Sequence, residues 1–183
     1  MLDKNNKISA FVLKAVANYV HNVPELALDI PSGFGRHTEW LCSLGVPVVS
    51  LELDKNRAYA SHRSGITSRL GVGRGVVADA SCDLPFCGAI FDLIVIVDFV
   101  SLELLKKAHK YLKKDGFVIY ESVRARGENW RELLPIGLTR EIFSANFSLL
   151  YFETRPCGPT RCEAETVRVV ASKVHSDAAF AMS

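Results

Sequence analysis

The chain has 183 residues, 49% hydrophobic and 23% charged, a globular composition long enough for one domain with a substantial core. A formal net charge of +2 with scattered Lys and Arg argues against a nucleic-acid footprint, and five cysteines, an odd number, argue against a disulfide framework. The first apolar stretch, Ile8 to Val20, is interrupted by Ser9, Lys14, Asn18 and Tyr19; it is too short and polar for a membrane span or a cleavable leader, so a cytoplasmic protein is expected.

Ile8 to His21 places Ile8, Phe11, Val12, Ala15, Val16, Tyr19 and Val20 on one helical face, and Pro24 blocks continuation. Leu26 to Ile30 is a short buried strand. Arg36 to Leu44 is a helix stopped by Gly45. Val46 to Glu52 is a second strand, with Pro47 near its start. Asp54 caps a helix running to about Arg63, and Gly65, Gly71, Gly73 and Gly75 mark a loop. Val76 to Ala78 is a short third strand, and Phe91 to Val97 a fourth, almost continuously apolar. Ser101 caps a helix with Leu104, Leu105, Ala108 and Leu112 inward, closed by Lys113, Lys114 and Gly116. The lysines at 106, 107, 110, 113 and 114 are then its solvated face and C-terminal end. Phe117 to Tyr120 is a fifth strand. After a helix from Thr139 to Asn146 come two strand-like runs, Phe147 to Glu153 and Glu163 to Ser172, joined by a Pro/Gly turn from Arg155 to Thr160. Strands alternating with helices predict a doubly wound α/β fold, a mostly parallel sheet covered on both faces. The last two runs add an antiparallel C-terminal hairpin, giving seven strands. Residues 1–24 form an N-terminal helical segment, 25–174 the domain and 175–183 a tail.

Ligands of such sheets bind at the carboxyl ends of the strands, at the switch point. Here those ends carry Asp29, Glu52, Asp79, Asp98 and Glu121, a crevice rimmed with carboxylates. After the first strand, Gly33 and Gly35 let the backbone turn sharply and approach a ligand. Glu52 follows Gly33 by nineteen residues, the spacing at which an acid at the end of the second strand reaches a ribose hydroxyl pair. Asp29, four residues before the first glycine, repels a pyrophosphate and attracts an ammonium or sulfonium ligand. Position 38 is Thr, not the small third residue of a nicotinamide-dinucleotide fingerprint. These residues favour S-adenosylmethionine over NAD. Cys82 and Cys87, and Cys157 and Cys162, are each five apart, wider than the usual zinc spacing, and no metal is expected.

The chain resembles the class I S-adenosylmethionine-dependent methyltransferases. Leu28-Asp29-Ile-Pro-Ser-Gly33-Phe-Gly35-Arg-His resembles their first motif, Leu51-Glu52-Leu53-Asp54 the segment with the ribose-binding acid, and Ala78-Asp79-Ala80 with Asp83-Leu-Pro-Phe86 the loop that brackets adenine. Phe91 to Val97, and Leu105 to Gly116 before Phe117-Val-Ile-Tyr120, resemble the elements that follow. Thr139-Arg-Glu-Ile-Phe and Phe147-Ser-Leu-Leu-Tyr-Phe-Glu resemble the late helix and strand of tellurite-resistance-type small-molecule methyltransferases.

The resemblance implies a Rossmann-like methyltransferase fold and a site for S-adenosylmethionine, with S-adenosylhomocysteine as product. Asp29 would hold the methionine end, directly or through water, lined by the Gly33–Gly35 backbone. Glu52 would bind both ribose hydroxyls, with Leu53 against adenine. Asp79 would accept from the adenine amino group, the Ala80 amide would add a contact, and Asp98 would sit beside the methionine moiety. Pro31 and Ser32 stand where small or Cys residues are commoner. Asp98 is also the candidate catalytic residue, needed as a base only if the acceptor carries a proton. Tyr19, His21, Glu121, Arg124 and Trp130 are candidates on the acceptor side. Val97-Asp-Phe-Val-Ser lacks the Asn/Asp-Pro-Pro-aromatic signature of enzymes that methylate amino groups of DNA bases. A small-molecule acceptor is therefore expected, with RNA or protein substrates, a non-catalytic S-adenosylmethionine-binding subunit or sensor, and a nicotinamide oxidoreductase as alternatives. The oligomeric state is open.

Overall fold

Phe91-Asp-Leu-Ile-Val-Ile-Val97 is apolar at every position but the second, so this strand needs cover on both faces. The computed structural model, which describes residues 7–66, 71–125, 137–157 and 164–174, provides it. The strands are β1 (Ala27–Asp29), β2 (Val48–Glu52), β3 (Gly73–Val77), β4 (Phe91–Val97), β5 (Leu112–Ala125), β6 (Phe147–Cys157) and β7 (Ala164–Lys173). They form one sheet of seven strands in the order β3-β2-β1-β4-β5-β7-β6. The first five run parallel, and β7 is antiparallel to both β5 and β6. This is the doubly wound sheet with a C-terminal antiparallel hairpin that the sequence predicts.

The described helices are α1 (Ala10–Tyr19), α2 (Arg36–Ser43), α3 (Lys55–Ile66), α4 (Leu102–Tyr111) and α5 (Leu138–Asn146). On one face Phe11, Val12 and Ala15 of α1 and Leu41 and Cys42 of α2 pack on Ala27, Val48, Leu93, Val95 and Ile119. On the other, Leu104, Leu105 and Ala108 of α4 and Ile142 and Phe143 of α5 pack on Leu28, Ile94, Ile96 and Tyr120. Alternate residues of β4 thus feed opposite cores, the period-two consequence of the pleat. Val12 is fully buried, contributing about 1.5–3 kcal/mol to docking α1.

The local signals work as read. Asp54 Oδ1 accepts the Asn56 and Arg57 N–H groups at 2.8 and 2.9 Å, and Ser101 Oγ accepts that of Leu104 at 3.2 Å. Gly45, at φ 85, ends α2: the Val46 N–H donates to Leu41 O and the Gly45 N–H to Cys42 O, a Schellman closure.

Two elements differ from expectation. The stretch read as a loop around Gly73 and Gly75 is the front of β3, paired with Val48 to Ser50. A Cβ at Gly75 would come within 2.9 Å of Ala58 O and His62 Cβ, so the glycine lets α3 lie close on the edge strand. The helix read as ending near Gly116 stops at Tyr111; Leu112 is extended and pairs with Phe91. Lys113 does not close a helix C-terminus. It binds Glu25 at 2.7 Å and Asp92 at 3.1 Å beside the start of β4. β6 also outruns its expected end at Glu153, running on to Cys157, and carries a bulge between Leu149 and Tyr151.

Gly35 and Gly45 share φ 85 but not surroundings: a Cβ on Gly35 would lie 2.7 Å from Ser61 Cα, and one on Gly45 meets nothing within 4 Å. Gly45→Ala should cost about 1–2 kcal/mol of unfolding free energy, from the left-handed backbone alone. Gly35→Ala should cost about 2–5 kcal/mol, adding the collision with α3. Urea denaturation of both checks the order; equal losses would mean the Gly35–Ser61 contact is not tight.

Candidate functional site

The sheet reverses its winding between β1 and β4, and the crevice at their carboxyl ends lies between the segment after β1 and the turn after β4. The chain leaves β1 through a cis Ile30–Pro31 bond and turns at Gly33 (φ 55) and Gly35 (φ 85) into α2. The turn is held from both sides: the Ser32 N–H donates to Leu51 O and the Gly35 N–H to Ser32 O, both at 2.9 Å. The Gly33 N–H donates to Glu52 Oε2 at 2.9 Å, and the Asp54 N–H donates to Glu52 Oε1 at 3.1 Å. Glu52 is thereby fixed at the end of β2 with one further lone pair on each oxygen. Phe34, between the glycines, and Leu53 are 57% and 62% exposed, and the Arg57 guanidinium lies 5.5 Å over the Phe34 ring.

Asp29 does not face open solvent. It is buried, and its Oδ2 accepts the Thr38 N–H at 3.0 Å and the Thr38 hydroxyl at 2.7 Å. Desolvation pushes its pKa up to about 6, against the lowering effect of the Thr38 bonds and the Arg36 charge. Gly35, the N-cap of α2, offers no side-chain cap, and Asp29 supplies one from β1 to the third residue of the helix. His37, also buried, has Nδ1 3.9 Å from Asp29 Oδ1 and accepts the Ser9 N–H at Nε2, 3.2 Å. Burial and the Arg36 charge hold its pKa down to about 4. At neutral pH it is a neutral ring with its proton on Nδ1, and its contact with Asp29 is not an ion pair.

Asp98, at φ 55 just after β4, binds Arg36 across the crevice, Nη2 to Oδ2 2.9 Å. With the Asp98 side chain 56% exposed, that pair contributes at most about 1 kcal/mol. Asp79, beyond β3, accepts the Ser81 N–H and hydroxyl at 2.8 and 2.6 Å, which hold its carboxyl below the usual range. Ala80 is buried in the core under that loop. Glu121 accepts from the Ser9 hydroxyl and pairs with Arg168 at 2.8 Å, while Arg168 also stacks on Phe11.

Asp29, Gly33, Gly35, Glu52 and Asp98 thus converge around one turn, with Asp79 and Ala80 on the neighbouring loop and Glu121 one strand beyond Asp98. Tyr19 and His21 are not brought there. Tyr19 ends α1 about 15 Å along the helix from Ser9, packed against the core layer under α1 and α2. Arg124 is in β5 opposite Glu165. Trp130 lies outside the described residues. Sequence reasoning passed over Arg36, Thr38 and Ser9. All three carry visible signals: a cation directly after the glycine turn, a hydroxyl nine residues beyond a buried acid, and a serine at the start of an amphipathic run. Among the described residues no three His, Cys, Asp or Glu side chains converge as a metal site, and no helix is long and apolar enough to cross a membrane.

A family model described as a methyltransferase domain matches residues 28–120, half of the chain. That span runs from β1 to the middle of β5 and holds the glycine turn and four of the five strand-end acids; the chain belongs to the class I S-adenosylmethionine-dependent methyltransferases. Solved structures share the fold. The MccD protein superposes with a TM-score of 0.71 at 13% identity, over 91% of this chain and 97% of its own. A TehB-like methyltransferase from Corynebacterium glutamicum gives 0.57 at 21% identity, over 82% and 80%. Geranyl diphosphate methyltransferase, solved with its diphosphate substrate and sinefungin, gives 0.69 at 11% identity, over 89% and 79%. No curated protein sequence matches the chain.

His37 and Asp29 make opposite demands on pH. Between about pH 4 and 6.5 His37 is protonated only in the unfolded chain, so its contribution to stability rises with pH. Between about pH 4 and 6 Asp29 is protonated only in the folded chain, so its contribution falls. Wild type should therefore gain on His37→Asn by roughly 3 kcal/mol from pH 4 to 6.5, and lose a similar amount relative to Asp29→Asn from pH 4 to 6. Urea titrations at stepped pH give both curves; slopes of one sign in both variants would contradict these assignments.

Proposed function

We propose that this protein transfers a methyl group from S-adenosylmethionine to a small-molecule acceptor. The observation that carries the cofactor assignment is the bond between the Gly33 N–H and Glu52, which sets a carboxylate with spare lone pairs at the lip of a glycine turn in the switch-point crevice. The residues present fit the group. A Cβ on Gly33 would enter open space before the turn. The Ser32 hydroxyl beside it is buried without a hydrogen-bond partner among the described residues.

Glu52 would hold the two ribose hydroxyls on the lone pairs that the backbone leaves it. Leu53 and Phe34 would supply apolar cover for the adenine, and Asp79 with the Ala80 amide its polar contacts. Asp29 acts from beneath, fixing the start of α2 and so the glycine backbone that the methionine end would lie along. The bound cofactor supplies an electrophilic methyl on a sulfonium. The protein's part is to place the acceptor in line and exclude water, so proximity supplies most of the acceleration. Asp98, beyond β4, would take a proton from an acceptor that carries one. Support for a small acceptor comes from the low net charge, and from geranyl diphosphate methyltransferase, a fold neighbour solved with a small substrate. The enzyme class is transfer of one-carbon groups, methyltransferase.

Calorimetric titration should show binding of S-adenosylhomocysteine and none of NADH; the reverse would overturn the proposal. Glu52→Ala should weaken S-adenosylhomocysteine binding by about 1–3 kcal/mol, roughly 5- to 150-fold. An unchanged affinity would mean that the ribose lies elsewhere. A screen of small acceptors for S-adenosylhomocysteine release tests turnover, and tight binding without release from any acceptor would identify a non-catalytic subunit instead.

A further inference from the structure

Two thiols sit in the loop that the cofactor assignment sets beside the adenine. Cys82 and Cys87 are both exposed, while Cys42, in α2, is buried. Between the two runs Asp83-Leu-Pro-Phe86. Leu84 and Phe86 fix this stretch to the core: the Leu84 N–H donates to the Tyr111 hydroxyl at 3.1 Å, and the Phe86 ring meets Phe91 edge to face at 5.0 Å. The Phe86 N–H donates to Leu84 O at 2.8 Å, a three-residue turn centred on Pro85 that doubles the chain back. Cys82 stands just before this turn and Cys87 directly after it, on adjoining arms. Gly88, next to Cys87, holds φ 74, and a Cβ there would meet nothing within 4 Å, so the second arm has room to shift. A disulfide needs its two Cα atoms within about 7 Å, and a chain folded back between the cysteines supplies that approach.

We propose that Cys82 and Cys87 form a reversible disulfide that lowers the protein's affinity for its cofactor. The inference rests on the S-adenosylmethionine assignment above. The step is a two-electron oxidation by a hydroperoxide. One thiolate attacks the peroxide; the O–O bond breaks, the sulfur becomes a sulfenic acid, and water or an alcohol leaves. The other thiol attacks that sulfur, the S–S bond forms, and water leaves. A dithiol reverses the bridge by exchange. Both sulfurs are exposed, so peroxide and reductant reach them alike. The bridge acts on the adenine contact through Asp79. The Cys82 thiol donates to the Asp79 carboxylate, and the Cys82 N–H donates to Asp79 O at 3.2 Å. A bridged sulfur carries no hydrogen, so Asp79 loses that donor. Drawing Cys82 toward Cys87 also pulls on the turn that presents Asp79 and the Ala80 amide.

The test treats the reduced protein with hydrogen peroxide and follows two readouts. Trypsin cuts after Arg74 and Lys106 and leaves both cysteines on one peptide. Mass spectrometry without reduction should find that peptide lighter by two hydrogens. Calorimetry on the same sample should show the Kd for S-adenosylhomocysteine raised about tenfold, and dithiothreitol should reverse both changes. Cys87→Ser should bind S-adenosylhomocysteine as the reduced wild type does, with or without peroxide. A bridge from either thiol to another cysteine, or oxidation to sulfinic acid with no bridge, would overturn the proposal. So would a bridge that leaves the Kd unchanged, or the same peroxide-induced loss in Cys87→Ser. A reduced wild type that binds no S-adenosylhomocysteine would instead bring down the cofactor assignment, and this control of affinity with it, whatever the peptide mass.

Discussion

The contact between Asp29 and Thr38 is the constraint on which the site depends. A buried carboxylate is tolerable only when its oxygens are hydrogen-bonded, and Thr38 offers its amide and its hydroxyl to the same oxygen. The amide belongs to the first turn of α2, one of the donors that a helix leaves unsatisfied. One interaction therefore meets the needs of a strand end and of a helix start. The intervening chain must turn within the distance this bond leaves it, which is why it needs positive φ at Gly33 and Gly35.

From that point polar links run outward along the carboxyl edge of the sheet. His37 accepts the Ser9 amide, Ser9 caps α1 and donates to Glu121, and Glu121 holds Arg168 on β7. The N-cap of the first helix is thus joined to β5, and through Arg168 to the antiparallel hairpin. Beneath the links, Phe11 continues the apolar layer against Tyr151. Glu121, expected to face an acceptor, is placed as the fastening between helix and sheet.

Much of the fold was legible because each element carries two agreeing signals. α4 has its serine cap and its inward leucines; α2 has its apolar face and the glycine that closes it. The front of β3 is hard to read because two glycines in its first three residues leave no side-chain pattern, and what makes them a strand is the nearness of α3, a tertiary fact. The end of α4 was misread because Lys113 and Lys114 suit a helix terminus equally well. Their true setting is decided by Phe91, whose pairing draws Leu112 into the sheet. In the site, the acids at the strand ends could be found from position alone. What each carboxylate touches could not. Burial of Asp29, the Ser9 link to Glu121 and the Arg36–Asp98 pair span 9 to 112 residues of chain and depend on how helices sit over the sheet.

The bulge in β6 has a bearing on what this molecule does in crowded solution. β6 is the outermost strand on its side, eleven residues long, and such an edge is a template for another chain's backbone. The register shift at Leu149–Tyr151 breaks the regular spacing of its outward amides and carbonyls. Pro156 removes one donor near the end, and Glu153 and Arg155 place opposite charges between the two interruptions. A long hairpin that supports the sheet therefore presents no long uninterrupted run on which a second sheet can grow.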